Sequence, residues 1–322
     1  MSKTNTTKKR KPESMRGLMR RLPPLEQAAV CAMLAALVLV SGFDLVFYFP
    51  DTHSSAFALE HYLAGIFLSA VLLAFLHWRA NKALPGAELL RLGRQMLALA
   101  LIVYLHFNFK LWAQLVNPSR FDDLYLAIDQ ALPWLMQLIG FLNLGFTPLK
   151  TVLPDAYHDV FVAMFLATFL CLAATHRSRA FEQSLLAIAW VLILGGLAYL
   201  PAPALGPFLY DADLGSHASF IQQDMLGFMR RFTTSNGQDY ERGNFIMPLA
   251  AMPSLHIAHA FVLLYYAWKN LRWLGYAYLP LFLFLLTEAI TSHWHYLIDL
   301  PAGLLIALLG IKVARWQMRE SR

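Results

Sequence analysis

Eight apolar runs, each close to or above the length a helix needs to cross a bilayer, constrain this chain more than any other feature. They lie near 27–49, 60–78, 96–116, 158–176, 183–200, 252–268, 274–291 and 294–314. A spanning helix needs about 20 apolar residues, because each residue advances it by only about 1.5 Å. The balance of residue types agrees. Of the 322 residues, 58% are hydrophobic and 14% charged, whereas soluble domains carry about 25% charged residues. The expected fold is all-α, a polytopic membrane helical bundle of about eight transmembrane helices. A soluble enzyme is excluded.

The net charge of +6 has to be read by position. Lys3, Lys8, Lys9, Arg10, Lys11, Arg16, Arg20 and Arg21 crowd one end, and Lys312, Arg315, Arg319 and Arg322 the other. Such runs also suit nucleic acid, but beside membrane spans they are topology signals, and no nucleic-acid partner is expected. Arg79, Lys82, Arg91 and Arg94, then Arg177 and Arg179, then Lys269 and Arg272, mark alternate loops. Both termini and these loops therefore fall on the cytoplasmic side, which an even number of spans requires. This divides the chain into a basic cytoplasmic tail (1–26), N-terminal transmembrane helices with an outer-face loop (27–180), a C-terminal transmembrane core (181–314) and a second basic tail (315–322). The first span has no small-residue cleavage site after a short core and reads as retained. Leu132–Phe146 is apolar but short and interrupted by Pro133, Gly140, Asn143 and Gly145, which predicts an interfacial or re-entrant helix. Cys31 and Cys171 lie inside apolar runs and read as small hydrophobes.

Two segments place ionisable groups at the outer ends of late spans: Met252-Pro253-Ser254-Leu255-His256, and His293-Trp294-His295-Tyr296-Leu297-Ile298-Asp299. Ionisable groups inside a membrane are functional by default. His295 and Asp299 are four apart and would share a helix face, so Asp299 can hold one imidazole nitrogen and leave the other basic. His295 Nε2 could then attack phosphorus as a nucleophile. Pro253 suits a helix start, Ser254 can cap it, and the free N–H groups of that end attract an anion. His256, in the first turn, would donate a proton to a leaving oxygen. This chemistry needs no metal and no cofactor, but it needs cations to offset the phosphate oxygens.

Candidate cations on the outer face are Arg230, Arg231, Arg242, Arg120 and Lys110. Lys110 could equally snorkel to the interface, and Arg230-Arg231 could attach an amphipathic stretch to the membrane surface. His259, one turn below His256, and Glu288, one turn before Thr291, are candidate supporting residues; Glu288 could orient an arginine or histidine, or pair with Lys110. Asp122, Asp123 and Asp129 read as a solvated outer cluster, and Trp112, Tyr210 and Trp294 as interfacial belt residues. Two rival functions use the same residues. A transporter or channel would run protons or ions along the histidines. A metal-dependent hydrolase would gather His256, His259, His293, His295 and Asp299 as ligands, although no H-E-x-x-H is present.

Met252-Pro253-Ser254-Leu255-His256 followed by His295-Tyr296-Leu297-Ile298-Asp299-Leu300 resembles the type 2 phosphatidic acid phosphatase superfamily, closest to the branch containing inositol phosphorylceramide synthase, the aureobasidin-resistance protein. P-S-L-H and H-Y-x-x-D-x-x-x-G are that branch's signatures, with Gly303 as the last glycine. The resemblance is specific over about 190–310, and Asn117-Pro118-Ser119-Arg120-Phe121-Asp122-Asp123 is similar to upstream sequence in some members. It implies that 181–314 is the catalytic core, with His295 the nucleophile, Asp299 its partner and His256 the general acid. It also implies a metal-independent site facing away from the cytoplasm, a phospholipid or polyprenyl-phosphate-type substrate, an alcohol acceptor if the group is transferred, and, in a bacterium, residence in the inner (plasma) membrane. The chain departs from the phosphatase branch in two places. It has no K-x-x-x-x-x-x-R-P segment, where Tyr199-Leu200-Pro201-Ala202-Pro203 stands, and Glu288 and Ala289 stand where a Ser-Arg pair would precede His295.

Overall fold

The computed structural model describes residues 22–50, 71, 86–153, 155–210, 217–240 and 244–320. Within them the chain forms eleven α-helices and no strand. These are α1 (Pro24–Phe43), α2 (Gly86–Val116), α3 (Asp122–Ala131), α4 (Pro133–Leu144), α5 (Thr147–Val152), α6 (Ala156–Ala174), α7 (Ser178–Ala198), α8 (His217–Thr234), α9 (Leu255–Asn270), α10 (Arg272–Thr291) and α11 (Asp299–Glu320). Five are long and apolar enough to cross a membrane: α1, α2 over Gly93–Val116, α6, α7 and α10. The segments expected to span at 252–268 and 294–314 correspond to the helices α9 and α11, which are not among these five, and all but residue 71 of the one expected at 60–78 lies outside the described residues. Leu34, Val38, Trp273, Tyr276, Leu305 and Leu308 point outward from α1, α10 and α11. Large apolar residues on the outside of a bundle are solvated by lipid, and their exposure costs nothing there.

The interrupted apolar segment expected to be interfacial or re-entrant forms α4, joined to α3 at a sharp bend. α3 and α4 meet at 84°, the geometry of a broken span or a re-entrant loop. Pro133 forces the break, since it has no N–H to continue α3 and suits the first turn of α4. With ten residues and three aspartates, α3 is too short and too polar to cross a membrane by itself.

α9 lies at the centre, packed against α6, α7, α10 and α11, with apolar residues buried on every side. α11 packs along α7 through Gly310, where a Cβ would come within 3.0 Å of the Ala187 carbonyl oxygen. Polar side chains in α2 are used by the backbone. Asn108 exchanges two hydrogen bonds with Tyr48, its Oδ1 accepting at 2.8 Å and its Nδ2 donating at 3.2 Å, and Trp112 Nε1 donates to Val46 O at 2.8 Å. Trp112 is therefore fully buried rather than a belt residue. His106 bonds the Leu192 carbonyl at 3.0 Å and ties α2 to α7.

Candidate active site

The two motif segments dock on each other through the backbone. Ser254 N–H donates to the Asp299 carbonyl at 3.1 Å. Gly303, one turn into α11, lies against the Ser254 carbonyl, and a Cβ there would overlap that oxygen. The final glycine of the second segment therefore sets how closely α9 and α11 approach. α9 begins at Leu255 with Ser254 at the N-cap position, but the Ser254 side chain makes no capping bond.

The second segment is not helical where its spacing predicts a helix. α10 ends at Thr291, His293 turns the chain in the left-handed region (φ 59°), and α11 starts only at Asp299. His295 sits in the intervening turn, its N–H bonded to the Ala289 carbonyl at 3.0 Å. The pairing with Asp299 forms all the same. His295 Nδ1 lies 3.2 Å from Asp299 Oδ2 and 2.9 Å from the Ala251 carbonyl, and the same Oδ2 accepts the Tyr296 N–H at 2.9 Å. Both neighbours of Nδ1 only accept, so Nδ1 carries the hydrogen and the neutral ring presents an unprotonated Nε2. These contacts fix the ring's orientation, and Asp299 is completely buried beneath it.

His256 stands in the first turn of α9 within an aromatic wall from α6: the ring centroids of Tyr157, His158 and Phe161 lie 5.3, 5.4 and 5.0 Å away. Its electrostatic neighbours are His158, His295, Lys110 and His259. The structure thus brings His256, His295, Asp299, Ser254 and Lys110 to one place. Lys110 Nζ lies 5.9 Å from the Tyr199 ring, and among the described residues no carboxylate pairs with it. The hydroxyls of Ser254 and Tyr157 are buried neighbours, with no hydrogen-bond partner elsewhere among the described residues. His259 is buried one turn below, beside the Leu255 and Ile188 carbonyls. Tyr157 and His158 have no motif to mark them; only the fold brings α6 to α9.

Other expected residues lie elsewhere. Glu288 pairs with Lys150, not Lys110: Lys150 Nζ is 3.1 Å away, and Asn143 Nδ2 donates to the same Oε2 at 2.9 Å. Glu288 is thereby the anchor that holds α4 and α5 to α10. Arg230 and Arg231 are exposed on α8, and Arg230 lines a separate cavity. Arg242 lies outside the described residues. The five residues weighed as metal ligands do not converge, for among the described residues no three His, Cys, Asp or Glu side chains are placed to share an ion.

The aspartates read as a solvated cluster are instead the support of the His295 turn. Asp122 Oδ1 accepts from Leu205 N–H (2.9 Å), Gly206 N–H (3.0 Å) and the Tyr296 hydroxyl (2.9 Å). Asp129 Oδ1 accepts the Leu297 N–H at 2.9 Å. Both are buried; of the three only Asp123 is exposed, and it accepts from the Tyr210 hydroxyl. Burial raises the Asp129 carboxyl from its ordinary 3.8 to about 6, with the Asp299 charge adding to the rise and the Leu297 N–H opposing it. Burial likewise raises Asp122, against the hydrogen bonds it accepts. α3 is thus riveted both to Leu205 and Gly206 and to the two residues that follow His295.

The profile of the PAP2 superfamily matches residues 126–313, more than half of the chain, and the chain belongs to that superfamily. No curated protein and no solved structure matches it significantly. Members of that superfamily are generally membrane phosphatases or phosphotransferases that act on phospholipid-like substrates, and the apolar helices of this chain agree with that kind of protein.

Proposed function

We propose that this PAP2-superfamily protein is a membrane lipid phosphotransferase or phosphatase working through a phosphohistidine, with its site at the extracytoplasmic face of the membrane. His295 Nε2 attacks phosphorus, the bond to the leaving oxygen breaks, and His256 gives that oxygen its proton. Asp299 and the Ala251 carbonyl hold Nδ1–H and stabilise the imidazolium as it forms. Lys110 and the Ser254 and Tyr157 hydroxyls face the phosphate oxygens. In the second half His256 takes a proton from water or an alcohol, which attacks phosphorus and frees His295. Water gives hydrolysis; an alcohol acceptor gives transfer of the inositol phosphotransferase kind, and the P-S-L-H and H-Y-x-x-D-x-x-x-G segments favour transfer.

One observation carries this reading: the Nδ1 of His295 is engaged by two acceptors, which leaves Nε2 free near a second histidine and a lysine that has no carboxylate partner among the described residues. Lys110 also answers the missing basic signatures, since a cation from α2, outside the matched region, stands where they would be needed. The test is turnover of labelled phospholipids by purified protein in neutral lipid, with and without chelator. We expect chelator to leave the rate unchanged, His295→Ala to abolish it, and Lys110→Ala to lower it about 100-fold. Full activity of His295→Ala, or loss of activity with chelator, would sink the reading.

A further inference from the structure

The outer ends of α2 and α8 border an open cavity of about 400 Å³, whose polar lining is Gln114, Arg120, Arg230, Thr233, Thr234 and Asn236. None of His256, His295, Asp299, Ser254 or Lys110 lines it. It contains two guanidinium groups and no carboxylate, and among the described residues neither arginine has an acidic side chain within ion-pair distance. Thr233 and Thr234 spend their hydroxyl hydrogens inside α8, on the Met229 and Arg230 carbonyls at 2.7 Å each. The donors left for a ligand are therefore guanidinium and amide N–H groups, and a ligand that suits them is an acceptor with negative charge.

Gln114 makes the cavity more than a charged surface. It is 8% exposed, it lines the wall, and its Nε2 is buried with no hydrogen-bond partner among the described residues. An unsatisfied amide N–H costs about 1–3 kcal/mol, a cost that an anion accepting from Nε2 would relieve. On α2, Gln114 stands one turn further out than Lys110 and on the same face. Leu205 forms another part of the wall, and its N–H is one of those bound by Asp122, which also holds the Tyr296 hydroxyl.

We propose that this cavity binds a phosphate group other than the one being transferred, carried by an anionic lipid headgroup or by a soluble phosphorylated alcohol. The site stands apart from the chemistry at His295, so it is tested in full-length His295→Ala protein, where nothing turns over. Calorimetric titration in neutral detergent uses two probes, glycerol 3-phosphate and short-chain phosphatidylglycerol. We expect at least one to bind, with affinity falling about ten-fold or more in Arg120→Gln/Arg230→Gln and several-fold in Gln114→Leu. Binding of glycerol 3-phosphate alone identifies a soluble source, and of phosphatidylglycerol alone a lipid one. Binding of neither probe, or wild-type affinity in the double variant, overturns the proposal. So does wild-type affinity in Gln114→Leu, since diffuse attraction by surface arginines would then suffice. Melting temperature and elution volume establish that each variant is folded; if the double variant is not, Gln114→Leu decides alone.

Discussion

Asp299 is the residue on which the chemistry turns, because one buried carboxylate serves a side chain and a backbone at once. Its Oδ2 takes both the His295 ring and the Tyr296 N–H, and its carbonyl takes the Ser254 N–H. Asp299→Asn keeps the shape but offers the ring a neutral partner and no stabilisation of an imidazolium. The expected result is a turnover rate reduced by about 10²–10⁴, measured on folded protein with unchanged substrate affinity. Gly303→Ala acts through geometry alone. Its methyl enters the space of the Ser254 carbonyl, so α9 and α11 must separate, at a cost of about 1–3 kcal/mol. A thermal melt should show the loss, and turnover should fall with it. A Gly303→Ala protein as stable and active as wild type would mean that the close approach is unimportant.

At the scale of elements, α3 acts as a brace rather than as a span. Asp129 holds the turn after His295 through the Leu297 N–H, and its carboxyl is raised to about 6. A raised folded-state value favours the protonated form. Its contribution to stability is full below about pH 4 and is lost as pH rises through about 6. Asp129→Asn keeps the acceptor and removes the titration, so melting temperature should decline less between pH 4 and 7 in the variant than in wild type. Identical pH profiles would contradict the assigned burial. This brace also marks the limit of what the sequence makes legible. Apolar length is enough to read five of the eight expected spans and the broken segment at Pro133, and spacing is enough to pair His295 with Asp299. The helical reason for that pairing fails, because a four-residue separation also suits a turn running into a helix start. Asp122 and Asp129 escape a sequence reading because nothing local distinguishes a solvated carboxylate from a buried one. Their partners lie 83 and 168 positions away. The burial of Trp112 and the partner of Glu288 escape it for the same reason.

For the whole molecule, the proposed topology puts the His295 turn, the outer cavity and the Pro201–Leu209 segment at one membrane face, and the loop joining α6 to α7 at the other. Gln238 and Ser178 are exposed at these two ends. In a background with Cys31 and Cys171 replaced by alanine, an impermeant thiol reagent should label Gln238→Cys in intact cells. It should label Ser178→Cys only after permeabilisation, and the reverse pattern would turn the site to the cytoplasm. The central claim is narrower than topology: a covalent bond between phosphorus and His295. Its most direct measurement is rapid acid-free denaturation during turnover of a substrate labelled in its phosphate, using the His256→Ala protein to slow breakdown of the intermediate, followed by peptide mapping. The covalent mechanism predicts an acid-labile, base-stable label on the peptide bearing His295, absent from the His295→Ala/His256→Ala protein. Turnover without label on that peptide, or label that persists when His295 is replaced, would contradict it.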